Sequence, residues 1–484
     1  MATPKVTITT LDGGLGTVPN QGGKLVAVLG PASAGVFETP QGIARPKDVI
    51  AGFTSGPLVE WSTYFQSRYG RGAIPIRTHA TGTAGSAGHL DVTGVAGTSV
   101  ATIASSPTPP DDLDVVFQVV AGGTIGTDGI TYQYSLDGGR TLSPVTALGT
   151  ADTLTIPGTG TELDFAAGTL LAGDKLTFTT VAPAPSASEL ATGLTALQNS
   201  NLPWEFAFIA SPITAALLDQ LETSFAAMQA AGKYRAWIGS PRMPTPGETE
   251  AEYKTALDAI FASKATTIGS LYSGDAKTFS AVSGRIYRRP SGLSVAAFQA
   301  SVSEEIDIAD VDLGPVPGVS IVDNNGNPEN HDEAVFPGLD DSRFGTLRSW
   351  DGRSGVYVTR PRVFSSAGSD FSIMPYRRVM NLYAETLLFY MTRRLAKPIR
   401  ISKKTGFIVE VDALEIELGA QKSLEAVLMK KPKASAVTFT VSRSDDLLST
   451  KTLTGDGGLI PLAYPEFILL SIGFKNPSLQ LIKV

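Results

Sequence analysis

The sequence predicts an α/β (α+β) core with a mixed, mainly parallel sheet flanked by helices, an inserted all-β domain of sandwich or barrel type, and extended arms at both ends. Strand-like apolar runs alternate with helical patterns in residues 24–78 and 184–474, and such alternation favours a parallel sheet covered by helices. The stretch between them, residues 79–183, has short strand-like runs and hardly any helical pattern. Residues 1–23 and 475–484 hold extended, partly Gly-rich sequence, and we interpret them as arms.

The first core segment opens with a strand. LVAVLG, residues 25–30, is a continuous apolar run followed by Pro, which is typical of a strand buried on both faces. A helical pattern over residues 58–69 and a strand-like run over residues 74–78 follow. After residue 183 the alternation resumes, with helices predicted over 188–197, 214–231 and 248–264 and strands over 205–210, 234–239 and 267–272.

The inserted segment carries strand-like runs that are separated by turn signals. The clearest signal is Asp137-Gly138-Gly139, directly after the run TYQYSL,. Short strands at regular spacing indicate a β-sandwich or small barrel, here with strands over 113–120, 130–136, 153–156 and 175–181,. Because the segment interrupts the α/β alternation, we interpret it as a domain inserted into the core.

The C-terminal part adds a long helix and β-type runs. The helix is predicted over residues 411–431 with its apolar side facing inward, formed by Leu414, Leu418, Leu424 and Leu428,. PEFILLSIGF, residues 465–474, is predicted to form a core strand.

Composition excludes several classes of protein. The 484 residues correspond to roughly three structural units. With 42% hydrophobic and 18% charged residues the chain is predicted to be ordered and globular,. Cysteine is absent, which excludes disulfides, thiolate metal sites and cysteine nucleophiles. The sequence shows no signal-peptide pattern and no apolar run that would span a bilayer, so we expect a protein used in solution or in a particle.

Charge is distributed unevenly along the chain. Residues 80–200 contain two Lys and Arg against eleven Asp and Glu, whereas residues 343–404 contain thirteen against three. A basic zone indicates an acidic partner surface or nucleic acid, with cations that pair inside the core as the plain alternative. Direct nucleic-acid binding is disfavoured, because the net charge is −7 and no recognisable binding motif accompanies the arginines.

Each chain end contains a strand without a local partner. An isolated strand is not stable in water, so each end must pair with a sheet edge, in its own subunit or in another. Gly-rich tethers such as residues 11–23 make exchange between subunits plausible,. The predicted arm strands are formed by Lys5, Val6, Thr7, Ile8 and Thr9 and by Leu479, Gln480, Leu481, Ile482 and Val484.

Motifs that carry chemistry are missing from the sequence. Phosphate-binding, nucleophile-elbow and zinc-helix patterns are absent,. The stretch that begins at Asp323 resembles a calcium loop, yet Pro328 and Ala334 stand where Gly and Glu are needed,. We therefore expect no catalytic residue, no cofactor and no metal. A glycoside hydrolase is kept as a third class only because large Gly-rich α/β and β chains often have that role. The acidic cluster at residues 304–312 could in principle supply its pair of carboxylates, but its polar surroundings favour a solvated face,.

A segment near residue 360 joins a strand, a loop and a long helix. Val356, Tyr357 and Val358 form the strand, and a helix begins near Pro375, with Asp370 or Ser372 as its predicted N-cap,. The "SDF" turn at residues 369–371 and the "YRRVM" helix opening at residues 376–380, together with this strand, resemble the C-terminal core of contractile-tail sheath proteins. The resemblance covers residues 24–78 and 184–474, and the arms are added by analogy.

The resemblance implies a structural subunit rather than an enzyme. Such subunits stack in helical rings around an inner tube, are linked by the strands of their arms, and contract. The implied partners are further copies of the chain, the tail tube protein, and baseplate and tail terminator proteins, without nucleic acid or membrane insertion. The implied location is the tail sheath of a virion, assembled in the host cytoplasm. The candidate tube-facing or inter-subunit cations are Arg377, Arg378, Arg393, Arg394, Lys422, Lys430, Lys431 and Lys433. The alternative is a virion surface or carbohydrate-binding protein that uses the acidic β-domain.

Overall fold

The structure is a computed structural model that describes residues 25–245, 247–320 and 338–473. It divides into two compact units, Met1–Arg393 (unit 1) and Arg394–Val484 (unit 2). Both predicted arm strands and the stretch that resembles a calcium loop lie outside the described residues. Among the helices of the described chain, none is both long and apolar enough to cross a membrane.

Unit 1 contains three groups of elements. The core begins with β1 (Leu25–Gly30), α1 (Pro46–Phe53), α2 (Pro57–Tyr69) and β2 (Ala73–Arg77). The insert, residues 79–183, contributes β3 (Ser86–Ala87), β4 (Asp91–Gly94), β5 (Ala101–Ile103), β6 (Leu113–Ala121), β7 (Gly123–Thr124), β8 (Thr131–Ser135), β9 (Thr146–Ala147), β10 (Thr153–Ile156), β11 (Thr161–Phe165), β12 (Thr169–Leu170) and β13 (Lys175–Val181). The core resumes with α3 (Ala187–Asn199), β14 (Trp204–Pro212), α4 (Ala215–Ala230), β15 (Ala236–Ser240), α5 (Glu250–Phe261), β16 (Gly269–Leu271), β17 (Asp275–Phe279), β18 (Ile286–Pro290) and α6 (Ser291–Ser301). It ends with β19 (Val319–Ser320), α7 (Gly338–Asp341), β20 (Leu347–Trp350), β21 (Arg353–Val358) and α8 (Met374–Thr392).

A five-stranded sheet in the order β16-β15-β14-β1-β2 forms the centre of unit 1, and every neighbouring pair in it is parallel. All six residues of β1 are buried, because helices cover both faces. Val26 and Val28 join the apolar cluster that includes α2 and α6, whereas Ala27 and Leu29 join the cluster formed with α3, α4 and α5. The alternation of side chains along a strand therefore supplies both core layers.

Two of the covering helices begin with reciprocal caps. The Ser186 hydroxyl accepts from the Glu189 amide while the Glu189 carboxylate accepts from the Ser186 amide, and Thr249 and Glu252 repeat this arrangement at α5. Such capping boxes satisfy backbone donors that a helix start leaves unpaired. They fix where α3 and α5 begin against the sheet.

The insert is made of antiparallel strands around an apolar core of its own. Its larger sheet runs β3-β13-β6-β8-β9 with β4 beside β13, and a second sheet runs β10-β11-β5. Phe117, Phe165 and Phe178 are buried between them. One member of this cluster comes from outside the insert, since Tyr287 of β18 is 6% exposed within it. The insert core is therefore completed by a side chain of the α/β core.

Unit 2 contains α9 (Glu410–Leu428), β22 (Ala434–Val441), α10 (Leu447–Thr450) and β23 (Gly455–Pro461). The two strands pair antiparallel, with Val437 opposite Leu459. Val437, Phe439 and Val441 are buried while the residues between them are exposed. This alternation gives the two-stranded sheet one covered face.

The mixed α/β class predicted from the sequence is confirmed. Two predictions for the C-terminal region are wrong. Residues 465–473 form no strand, and their side chains are exposed. On α9 the buried side chains include Ala413, Ile416 and Ala420 together with Leu424 and Leu428, so Leu414 and Leu418 face outward instead of inward.

Candidate assembly site

The segment that carries the sequence resemblance is built around α8. Ile373, rather than Asp370 or Ser372, precedes the first helical residue, and no side chain caps the helix. Pro375 lies in the first turn, where a missing amide donor costs nothing. The predicted side-chain cap is therefore wrong, and the helix start rests on proline and on burial of Met374.

Arg378 lies inside unit 1. Its side chain is 2% exposed, and its Nε donates to Glu205 Oε1 at 2.7 Å. The same guanidinium donates to the carbonyl oxygens of Gln299 at 3.2 Å, Val302 at 3.0 Å and Ser303 at 2.9 Å. These carbonyls close α6, so a cation there also complements the helix dipole.

Arg377, its neighbour, is also buried. Its guanidinium carbon lies 5.1 Å from the centre of the Phe371 ring. Burial lowers the pKa of Arg377 to about 10, with Glu222 acting in the opposite direction. The structure thus contradicts the prediction that Arg377 and Arg378 face a tube or another subunit. Their long side chains reach non-local carbonyls and rings that the sequence pattern does not reveal.

The remaining predicted cations lie nearer the surface. Arg394 Nη1 contacts Glu415 Oε1 at 2.9 Å within unit 2. Lys433 is half-buried at the start of the strand pair. The other four side chains are exposed, namely Arg393, Lys422, Lys430 and Lys431. A role for these six residues in contacts with a tube or neighbouring subunits stays a prediction.

The pair β22–β23 presents an open edge along β23. Within the described chain, neither strand has a second neighbour. Outer amides and carbonyls of β23 can accept a further strand, whereas on β22 the Val441 amide and the Val437 carbonyl bond to side chains of α9. A two-stranded ribbon alone is marginally stable, and here α9 supports it.

Arg443 ties α9 to this ribbon. Its guanidinium contacts Glu410 at 2.9 Å and also Glu417, whose carboxylate accepts from the Val441 amide at 2.6 Å. The bonds from Arg443 lower the pKa of Glu417 below its ordinary range, as they do for Glu410. Gln421 Nε2 adds a bond to the Val437 carbonyl at 2.8 Å. Sequence reasoning missed this clamp, because its members are spread over more than thirty residues.

Apolar side chains are exposed in the segments that precede and follow the β22–β23 ribbon in sequence. Ile468, Leu469 and Ile472 are 73%, 95% and 94% exposed in the segment after β23. On α9, Val411, Leu414 and Leu418 form an outward row at helical spacing,. Apolar patches of this kind mark sites of association.

The fold of the chain is that of the sheath proteins of contractile systems. One similar structure, the contracted sheath of the PVC extracellular contractile injection system, has 11% identity, a TM-score of 0.50 and coverage of 98% of each chain. The sheath tail protein of Listeria innocua has 13% identity, a TM-score of 0.44, and coverage of 91% of this chain and 96% of its own. The sheath tail protein of Desulfitobacterium hafniense has 11% identity, a TM-score of 0.40, and coverage of 95% and 100%. The resemblance predicted from the sequence is confirmed as one of fold.

Residues 3–362 match the family described as "DUF2586, N-terminal domain". The chain belongs to this family. The match ends before α8 and unit 2 begin. No curated protein matches the sequence.

Proposed function

We propose that this protein is the structural subunit of a contractile tail sheath, which polymerises in helical rings around an inner tail tube by exchange of β-strands between subunits. The observation that carries the proposal is the open ribbon β22–β23, next in sequence to an exposed apolar segment. The sheath fold supports it. The role is mechanical, and the energy of contraction is stored during assembly rather than released by nucleotide hydrolysis.

Strand exchange would give hydrogen-bond partners to the edge amides and carbonyls of one subunit. It would also bury the exposed apolar side chains of that subunit. An added strand would pair with outer amides and carbonyls of β23. Burial of one Leu or Ile contributes about 1.5–3 kcal/mol, and Leu469, Leu470 and Ile472 are each at least 78% exposed. Several such residues per contact would drive a polymer without any single strong bond.

The predicted arms complete the arrangement. Residues 5–9 and 479–484 would add strands to neighbouring subunits and act as hinged tethers while the bodies rearrange during contraction,. The exposed cations Arg393, Lys422, Lys430 and Lys431 would face an acidic surface of the tube or of another subunit,. Baseplate and terminator proteins would bind the two ends of the array, which is assembled in the host cytoplasm and carried by the virion.

The carbohydrate-binding alternative is not supported by the insert. Its aromatic rings Phe117, Tyr132, Phe165 and Phe178 are buried, and Tyr134 is half-buried. Sugar rings are bound on exposed aromatic faces, so the described part of the insert lacks the platform that such a module needs.

Electron microscopy of the purified protein tests the proposal. We expect striated hollow cylinders from the full chain and folded, unassembled subunits from a chain that lacks residues 1–22. Leu469→Asp combined with Ile472→Asp is expected to abolish cylinders too, because charges replace the apolar side chains that a neighbour would bury.

The matched control is Leu448→Asp. Leu448 is 72% exposed in the same unit but lies on α10, away from the apolar segment, so its replacement should leave the cylinders intact. Full-length cylinders from the truncated chain, or from the double variant, would refute strand exchange.

A further inference from the structure

The insert meets the core at the carboxyl edge of the central sheet. The order β16-β15-β14-β1-β2 places a switch of winding direction between β14 and β1, and α/β sheets have a crevice beyond the strand ends at such a switch. In this protein the crevice is lined by Ser211 and Ser240, among the last residues of β14 and β15, by Trp61 of α2, and by Asp111, Asp112 and Arg289. The insert therefore places two carboxylates in the crevice.

Arg289 of β18 is the centre of the contacts there. Its side chain is 4% exposed, and Nη2 donates to Asp111 Oδ2 at 2.7 Å. Glu60 Oε1 of α2 lies 3.7 Å from the same nitrogen, and Nη1 donates to the Asp112 carbonyl. One guanidinium thus links the insert to two elements of the core.

The chain leaves the insert at this point. Asp112 Oδ1 accepts from the Ala182 amide at 2.8 Å, directly after β13. Thr180 Oγ1 donates to the Asp111 carbonyl at 2.8 Å. Movement of Asp111 away from Arg289 would therefore also disturb the end of β13, where the chain leaves the insert.

Negative charge exceeds positive charge around this contact. Arg288 pairs with Asp275 of β17, and Asp114 of β6 faces both arginines and Lys277. The groups that face the contact from all packed elements are Glu60, Asp111, Asp112, Asp114 and Asp275 with Arg288, Arg289 and Lys277. Buried carboxylates in excess are costly unless one takes up a proton.

Asp111 is the carboxylate that bonds directly to the Arg289 guanidinium. Burial raises the pKa of Asp111 to about 7, with Arg289 opposing the rise and Glu60 and Asp112 adding to it. Burial also raises the pKa of Asp112 and of Asp114. Because the raised pKa of Asp111 belongs to the docked state, protonation favours docking below that value, and the benefit is lost as the pH rises towards it.

We propose that this carboxylate-rich contact is a pH-sensitive latch, in which docking of the insert on the core takes up a proton at Asp111. The insert is held firmly in acid and opens more readily at neutral and alkaline pH. Neither the sheath fold nor the assembly function is needed for this inference, because all the groups lie within unit 1.

Hydrogen exchange of the full chain tests the latch. Peptides that cover residues 110–116 and 284–292 report the opening of the contact. After correction for intrinsic exchange, we expect the opening constant to rise about a hundredfold from pH 5 to pH 8, and at most about tenfold per pH unit, as uptake of one proton requires. Asp111→Asn should reduce this rise to less than about threefold, because the amide does not titrate.

Two further variants make the test specific. Asp128→Asn removes an exposed carboxylate elsewhere in the insert and should retain the wild-type profile. Glu60→Gln removes one repelling charge and should move the wild-type profile to lower pH. An opening constant that stays flat from pH 5 to pH 8 in the wild type, or an unchanged slope in Asp111→Asn, would overturn the proposal.

Discussion

Replacement of Arg378 tests whether this cation stabilises the interior of the subunit or faces a tube. In Arg378→Met, Glu205 keeps a carboxylate that is 16% exposed but loses its ion pair, and three carbonyls at the end of α6 lose their donors. Loss of one partner from a buried pair costs about 3–5 kcal/mol. We expect the free energy of unfolding of the unassembled subunit to fall by about that amount.

The assay is urea denaturation of the subunit at a concentration below assembly, with intrinsic fluorescence as the signal. Arg393→Met is the matched control, because Arg393 is exposed directly after α8 and surface changes usually stay within about 0.5 kcal/mol. Arg378→Lys keeps the charge but cannot reproduce the planar fork of donors, so its loss should be intermediate. A methionine variant as stable as wild type, yet unable to form cylinders, would refute the buried role and restore the sequence-based one.

Two other predictions concern the insert and unit 2. Tyr287→Ala should cost about 3 kcal/mol, because it leaves a cavity in the insert core,. For the same reason, deletion of residues 82–182 should destabilise unit 1, with exposure of apolar dye-binding surface, unless Tyr287 and Arg289 are replaced too; a deletion variant with wild-type melting temperature would contradict this. In unit 2, the pKa of Glu417 is lower in the folded state than in the unfolded chain. The ionised carboxylate therefore stabilises the fold at pH values above the ordinary pKa of glutamate, and this stabilisation is lost as the pH falls through the lowered pKa,. Thermal melting from pH 6 to pH 3 should therefore show less acid sensitivity in Arg443→Met than in wild type, and equal sensitivity would exclude the clamp.

The spacing of apolar residues was sufficient to predict an element where one periodicity, that of a helix or of a strand, dominates. Strand β1 is a run of six apolar residues, and the helices α3, α4 and α5 each show a clear apolar side. Helix α6 was not predicted because its sequence has no charged face opposite an apolar one. Ten of its eleven residues are buried,. Over residues 413–420 of α9, Leu414 and Leu418 lie outside while Ala413 and Ala420 lie inside, so a rule that places large side chains in the core selects the wrong residues there.

The candidate site was predictable only in part, for a physical reason. From its charge and its long side chain, an arginine is expected to lie in solvent. Arg378 instead bonds to residues that are 75 to 173 positions away in sequence. The contact around Arg289 likewise joins residues separated by 178 positions. Such pairs depend on how the sheet orders its strands, and strand order is not encoded in any local window.

The distribution of exposed apolar side chains supports unit 2 as the part of the chain that would carry the proposed assembly. Of the 27 large apolar side chains that are exposed in the described residues, twelve lie after Arg393, in unit 2. That part, residues 394–473, contributes fewer than a fifth of the described positions, so exposure there is more than twice what an even distribution would give. The described part of unit 1 buries most of its large apolar residues in three clusters. Because apolar surface of this extent is costly in water, it supports the proposal that other copies of the chain cover unit 2, and under that proposal the concentration of subunits should control the cover.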